Sequence, residues 1–467
     1  MKDKRNLTML MDLYELTMAN GIYTGELKNT ITYFDMFFRR VPDEGGFAIM
    51  AGLEQLTEYL KNLHFDDEDI EYLRSLGLFD ESFIEYLADF KFSCDVWAVP
   101  EGTPIFPHEP IVTVRGPAMQ ALMVETMLLL TINHQSLIAT KANRIVRAAA
   151  GRPVMEFGAR RAQGGDAAYF KTAKDFSVKA SGTMAHSWVQ MFKDEYTAFK
   201  TYAEKYPDSC MLLVDTYNVL HSGIPNAIKV FDDVLKPLGK RPAGIRIDSG
   251  DITYLTKKAR KMLDDAGYPD CKICVSNSLD EYLIRDMIFQ GAAVDSYGVG
   301  ERLITASSEA VFGGVYKLAA VERDGRIEPK MKISENPEKV TLPGVKIPWR
   351  LYDRTTGKAI ADVITLNHEK IDDSEPYEIF DPTYTWKRKV VTNFVARKLQ
   401  TRVFEKGKLV YSLPTVKEIA ARREEEVDSL WDEVKRFEKP HTYYVDLSED
   451  LWNQRNELLN SLSYKGE

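Results

Sequence analysis

From about residue 136 onward, short apolar or β-branched runs alternate with helical stretches, and no other feature restricts the fold as much. "RPVMEFG", "CMLLVDTYN", "AGIRIDSGD", "CKICVSNS", "AAVDSYGVG" and "AVFGGVYKL" read as strands, with helices expected over 223–238, 251–266 and 279–290. Strand–loop–helix order implies parallel strands joined by crossover helices. So many units in succession point to an α/β barrel, with a doubly wound sheet as the alternative. Ahead of this region, residues 1–135 mix amphipathic helices with short strands and read as an N-terminal α/β domain. The barrel is expected over 136–345. Residues 346–467 then read as a C-terminal extension packing back on the N-terminal domain, with a hairpin in "LYDRTTGKAIADVITL" and a charged, solvated helix in "TVKEIAARREEEVDSLWDEVKRFEKP".

In a parallel barrel, chemistry collects past the C-terminal ends of the strands. Polar groups and glycines recur at that position here: Arg160 and Arg161, Asp215, Arg246, Asp248 with Ser249 and Gly250, Ser276 with Asn277, Gly298 with Gly300, and Gly313 with Gly314. Glycines in "GVGERLIT" and "FGGVYKL" let backbone N–H groups approach phosphate oxygens, although turn glycines look the same in sequence. The arginines suit two-point binding of carboxylate or phosphate. Asp215 and Asp248 suit ribose hydroxyls or a hydrated Mg2+, with no ion held by protein side chains alone. Tyr14, in "DLYELTMA", suits stacking on an aromatic ring or plain core packing. His186, in "SGTMAHSW", is open to three readings: a core histidine, a base, or a group modified during turnover.

The remaining features narrow the class. A chain of 467 residues exceeds one hydrophobic core. Its net charge is −9, from 61 Lys and Arg against 70 Asp and Glu, which argues against non-specific nucleic-acid or membrane partners. Four cysteines are too few for a disulfide framework, and Cys271 and Cys274 fall on opposite faces of a strand. The run "AMQALMVETMLLLTI" is short for a membrane span and carries Glu125. A reduced, cytoplasmic enzyme is the expectation.

Taken in order, "DLYELTMA", "FGARRAQ", "SGTMAHSW", "LVDTYN", "RIDSGD", "VSNSLDE", "GVGERLIT" and "FGGVYKL" strongly resemble nicotinate phosphoribosyltransferase, with "VTLPGVKIPWRLYD" and "VYSLPTVKEI" continuing the likeness. The resemblance implies the type II phosphoribosyltransferase fold, an irregular α/β barrel with an N-terminal α/β domain, assembled as a homodimer with shared active sites. It implies that nicotinate, phosphoribosyl pyrophosphate and ATP, with Mg2+, give nicotinate mononucleotide, pyrophosphate, ADP and phosphate. It makes His186 the phosphorylated histidine, Thr183 a nicotinate-holding residue, Arg246 the partner of the nicotinate carboxylate, and Tyr14 the residue stacked on its ring.

Two departures from the family pattern stand out. Glu301 occupies a position where some members carry a phosphate-contacting threonine, so that contact is expected to pass to backbone N–H groups. The connection at 164–180 lacks a "GTSN"-like segment, which predicts near-normal stability with weak turnover if the shortening is real. The rival readings are a nicotinamide phosphoribosyltransferase, a quinolinate enzyme needing neither ATP nor the histidine, and a non-catalytic ligand-binding relative.

Overall fold

The computed structural model describes residues 6–164 and 184–462. The chain packs as two units: one runs up to Thr140 and resumes at Val311, and the other spans Lys141 to Ala310. These limits fall elsewhere than the expected divisions at 135 and 345. The reason is a strand that changes sheets. Gly314–Arg323, from "FGGVYKL", pairs antiparallel with Ile31–Phe38, placing Phe38 opposite Gly314 and Ile31 opposite Glu322. It therefore belongs with the chain's beginning and does not extend the parallel set.

The first unit is built on that pairing. Its seven-stranded sheet runs Arg326–Pro329, Gly314–Arg323, Ile31–Phe38, Val112–Pro117, Asp95–Ala98, Thr401–Glu405 and Lys408–Leu409. The strand Thr401–Glu405 brings the chain's last third into the same sheet, antiparallel to Asp95–Ala98. A second sheet contains the expected hairpin, Lys346–Asp353 against Ala359–Leu366, whose turn is held by the Asp353 carboxylate accepting from Thr355 and Thr356 N–H. Fully buried Arg350 donates to both carboxylate oxygens of Asp362 at 2.8 and 2.7 Å and to the Pro104 carbonyl at 2.9 Å. A bidentate, hydrogen-bonded pair is what makes a buried charge tolerable.

Ala118–Ala148 forms a helical stretch long and apolar enough to cross a membrane, and 56% of its most apolar window is buried inside the protein. Core packing accounts for that apolarity: Met123, Val124, Leu128 and Ile132 are each buried.

The second unit holds five parallel strands: β1 (Val154–Glu156), β2 (Met211–Leu213), β3 (Gly244–Ile247), β4 (Lys272–Ser276) and β5 (Ser296–Val299). Their order is β1-β5-β4-β3-β2. The α/β alternation read from the sequence is this set of strands and its connecting helices. In β4 both faces are covered, with Ile273, Cys274, Val275 and Ser276 all buried, as a parallel sheet flanked by helices requires. The helices start where short acidic residues cap them. Asp251 accepts from Tyr254 N–H at the head of Ile252–Asp265, and Asp280 accepts from Tyr282 and Leu283 N–H at the head of Glu281–Phe289. Ile252, Thr256, Ala259 and Leu263 form the buried stripe of the first. The buried carboxylate of Glu281 accepts from Lys141 at 2.9 Å and Arg144 at 2.7 Å, fixing that helix to the start of the unit.

Candidate active site

Because the five strands are parallel, the segments that follow them emerge at one edge of the sheet. After β2 come Asp215 and Thr216, after β3 Asp248 and Ser249, after β4 Asn277, and after β5 Gly300. The turn Ala159–Arg161 follows β1. Asn277 and Ser278 have φ of 98° and 46°, so the backbone reverses past β4 through the left-handed region that non-glycine residues rarely enter.

Arg246 and Asp248 organise this edge. Arg246 lies within β3 with its side chain 17% exposed. Its Nε donates to Ser276 Oγ at 2.8 Å, and Nη2 donates to Asp248 Oδ1 at 2.9 Å. The guanidinium carbon lies 5.1 Å from the centre of the Phe157 ring, so the cation rests on an aromatic face. Ser276 Oγ also donates to Asp248 Oδ1. The other Asp248 oxygen, Oδ2, lies 3.7 Å from His186 Nε2, and Thr216 Oγ1 lies 3.2 Å from His186 Nδ1. One carboxylate therefore faces both the arginine and the histidine.

Asp215 lies beneath this group. Its Oδ2 accepts from Asp248 N–H at 2.9 Å and from Ser249 Oγ at 2.7 Å, whereas Oδ1 is buried with no hydrogen-bond partner. A buried carboxylate oxygen without a donor is costly, so Asp215 Oδ1 has acceptor capacity left over at this edge of the sheet. Among the described residues no three His, Cys, Asp or Glu side chains converge as a metal cage. Mg2+ usually takes one or two carboxylates, with water and substrate phosphates completing its shell.

At the other end of the sheet Glu156 accepts from Gly158 N–H, closing the turn after β1, and burial pushes the Glu156 carboxyl up. Arg160 and Arg161 are exposed on that turn, and Arg161 is paired with Glu301. The residue that departs from the family pattern thus supplies a carboxylate to a neighbouring arginine.

The site residues read from the sequence divide accordingly. His186, Asp215, Arg246, Asp248 and Ser249 come together, with Gly250 next along the chain, while Asn277, Arg160, Arg161, Gly298 and Gly300 lie at or beside the same strand ends. Gly313 and Gly314 belong to the first unit, where Gly314 opens a strand of the antiparallel sheet and Gly313 directly precedes it; a Cβ on Gly314 would overlap the Asn133 side-chain oxygen and come within 2.8 Å of Met36 Cε. Tyr14 also belongs to that unit, 44% exposed in the first turn of the helix Leu13–Thr24, with its hydroxyl pushed up to about 12 by partial burial and the Glu125 carboxylate. Thr183, and the connection at 164–180 beyond Gly164, lie outside the described residues. Two contacts had no assigned role in the sequence reading: Phe157, under Arg246, and Thr216, beside His186. Their signal was position, since each directly follows a residue or strand already singled out.

Residues 9–133 match the nicotinate phosphoribosyltransferase N-terminal domain, 145–364 the nicotinate phosphoribosyltransferase family, and 345–455 the C-terminal domain of the same enzymes. The Bacillus subtilis protein named nicotinate phosphoribosyltransferase is 42% identical over 480 aligned residues, covering 99% of this chain and 97% of its own. The crystal structure of human nicotinic acid phosphoribosyltransferase superposes with a TM-score of 0.81 at 28% identity, covering 97% of this chain and all of that one. Nicotinate-nucleotide pyrophosphorylase from Pyrococcus furiosus shares the fold at a TM-score of 0.67, with 22% identity over 92% of this chain and 96% of that one.

Proposed function

The chain belongs to the nicotinate phosphoribosyltransferase family, and on that premise we propose that it joins nicotinate to phosphoribosyl pyrophosphate, with ATP coupled to the reaction through His186. The observation that carries this reading is the Asp248 carboxylate set between Arg246 and His186, which links a carboxylate-reading arginine to a nucleophilic imidazole.

The pyridine nitrogen of nicotinate is itself the nucleophile and needs no base. It attacks the anomeric carbon as the bond to pyrophosphate breaks, through an oxocarbenium-like transition state, so positioning and charge placement are the protein's contribution. Arg246 is built to orient the acceptor. Ser276 and Asp248 hold its Nε and Nη2, while Nη1 bonds no described residue and is left to meet a substrate carboxylate. Asp215 Oδ1 would meet a hydrated Mg2+, which would supply charge neutralisation to the pyrophosphate, or a ribose hydroxyl. Asp248 near Nε2 favours the proton on that nitrogen, leaving the lone pair on Nδ1. That nitrogen takes the γ-phosphoryl group of ATP as ADP departs, and hydrolysis of the P–N bond later releases phosphate.

Product analysis after incubation with nicotinate, phosphoribosyl pyrophosphate, Mg2+ and ATP tests the reading, with nicotinate mononucleotide expected. γ-Labelled ATP should leave an acid-labile phosphoryl group on the protein, and His186→Asn should abolish it. Preferred turnover of nicotinamide would assign the amide as substrate instead. No mononucleotide at all would mean a ligand-binding relative without this activity.

A further inference from the structure

Gly298 lies inside β5, where a glycine weakens a strand and signals a close approach by some other group. The approaching group is the Phe157 ring. A Cβ on Gly298 would overlap the ring edge at Cε2 and Cδ2. Phe157 has little freedom to yield, because its own N–H donates to the Val299 carbonyl at 2.7 Å, and the turn after it is closed by Glu156 accepting from Gly158 N–H. The ring's face carries the Arg246 guanidinium. On its other side Gly298 stands opposite Ser276 in the pairing of β5 with β4, and Ser276 is the hydroxyl that accepts from Arg246 Nε.

We propose that Gly298 is a positioning residue for the acceptor's carboxylate: its missing side chain seats the Phe157 ring that supports Arg246, and it acts through those two residues instead of by touching phosphate. A guanidinium set by two lateral hydrogen bonds and one aromatic face has a defined direction for its remaining donors. Displacing the aromatic support turns the fork without removing its charge. The inference rests on the nicotinate reading for the identity of the carboxylate, but the Gly298–Phe157 contact stands independently of it.

The two roles open to Gly298 separate in steady-state kinetics. Gly298→Ala should raise the nicotinate KM by about ten- to a hundredfold, the scale of loss when a binding group is misplaced by an ångström. The KM for phosphoribosyl pyrophosphate should stay as in the wild type. A rise confined to phosphoribosyl pyrophosphate would overturn the proposal in favour of phosphate contact, and unchanged values for both would overturn it outright. Thermal unfolding supplies a readout that needs no substrate. Phe157→Leu shortens the overlapping ring, so the Gly298→Ala/Phe157→Leu double variant should melt above Gly298→Ala alone. A double variant that melts at or below the single one would refute the contact. Failure of the wild type to use nicotinate would count against the substrate assignment, and the melting comparison would still decide the Gly298–Phe157 contact.

Discussion

Arg246 gives the most direct residue-scale prediction. Its side chain is mostly buried and charged, so a carboxylate it meets forms a largely desolvated ion pair. Arg246→Ala should cost about 2–4 kcal/mol of nicotinate binding, the usual penalty for truncating one member of such a pair. Nicotinamide, which has no charge to lose, should suffer much less. Titrating both ligands against the variant checks this, and equal losses would reassign Arg246 to phosphate or to structure. Arg246→Lys should fail to rescue, because an ammonium keeps the charge but cannot bond Ser276 and Asp248 while resting flat on Phe157. Much of this cluster was legible in the sequence, since Asp215, Arg246, Asp248 and Ser249 all follow or end apolar runs in the same way. Phe157 was not, because its role depends on β1 and β5 being neighbours, and nothing local to "EFGARR" states that. The close approach of Phe157 to Gly298 was hidden for a related reason: a glycine needed for close packing and one needed for a turn or a phosphate leave the same letter.

Among the elements, the helix Leu13–Thr24 carries a buried acid, Glu15, on the face it packs inward with Leu16 and Ala19. Glu15 Oε1 accepts from both the N–H and the hydroxyl of Thr126, at the head of the helix Glu125–Ala148, while Oε2 has no partner. Burial pushes its carboxyl up from 4.5 to about 7 against the pull of those two donors. The sign follows from proton counts. Between those two values the unfolded chain has lost a proton that the folded chain retains, so stability falls as pH rises and levels off above about 7. The full effect is about 3 kcal/mol at most. Glu15→Gln keeps an oxygen acceptor and cannot ionise, so urea midpoints from pH 5 to 7 should slope less than in the wild type; an unchanged slope would show that Glu15 does not titrate there. At this scale the sequence was informative about element type and weak about partners. "FGGVYKL" was correctly a strand, yet its neighbour is Ile31–Phe38 and not another member of the parallel series. Strand periodicity comes from one segment's own residues, whereas pairing depends on a second segment far away. The charged helix is a mixed case: Val416–Ser429 is helical and mostly solvated, with Val427 buried, but the helix stops there, so the expected continuation through "LWDEVKRFEKP" does not form.

For the molecule as a whole, the deciding feature is that one unit interrupts the other. The first unit closes only when Tyr33 can bond Glu322, 289 positions later, and when Arg350 can reach the Pro104 carbonyl across 246. The second unit is continuous from Lys141 to Ala310. The expected divisions at 135 and 345 follow a change in strand–helix rhythm, and that rhythm does not record which distant segment a strand pairs with. The interruption has a consequence for how the protein is made on the ribosome. Synthesis proceeds from the N-terminus, so the strand Ile31–Phe38 emerges long before its neighbour Gly314–Arg323 exists, and the nascent chain must carry an unpaired strand edge through all of that time. The inserted unit, by contrast, has all five of its parallel strands among the described residues available once Val299 has cleared the exit tunnel. Nascent chains arrested shortly after Ala310 emerges should therefore show protease-resistant fragments from Lys141–Ala310, while residues before Thr140 remain cleavable until about Glu405 is out. Early protection of the N-terminal segment would show that it reaches a stable state without its C-terminal strands.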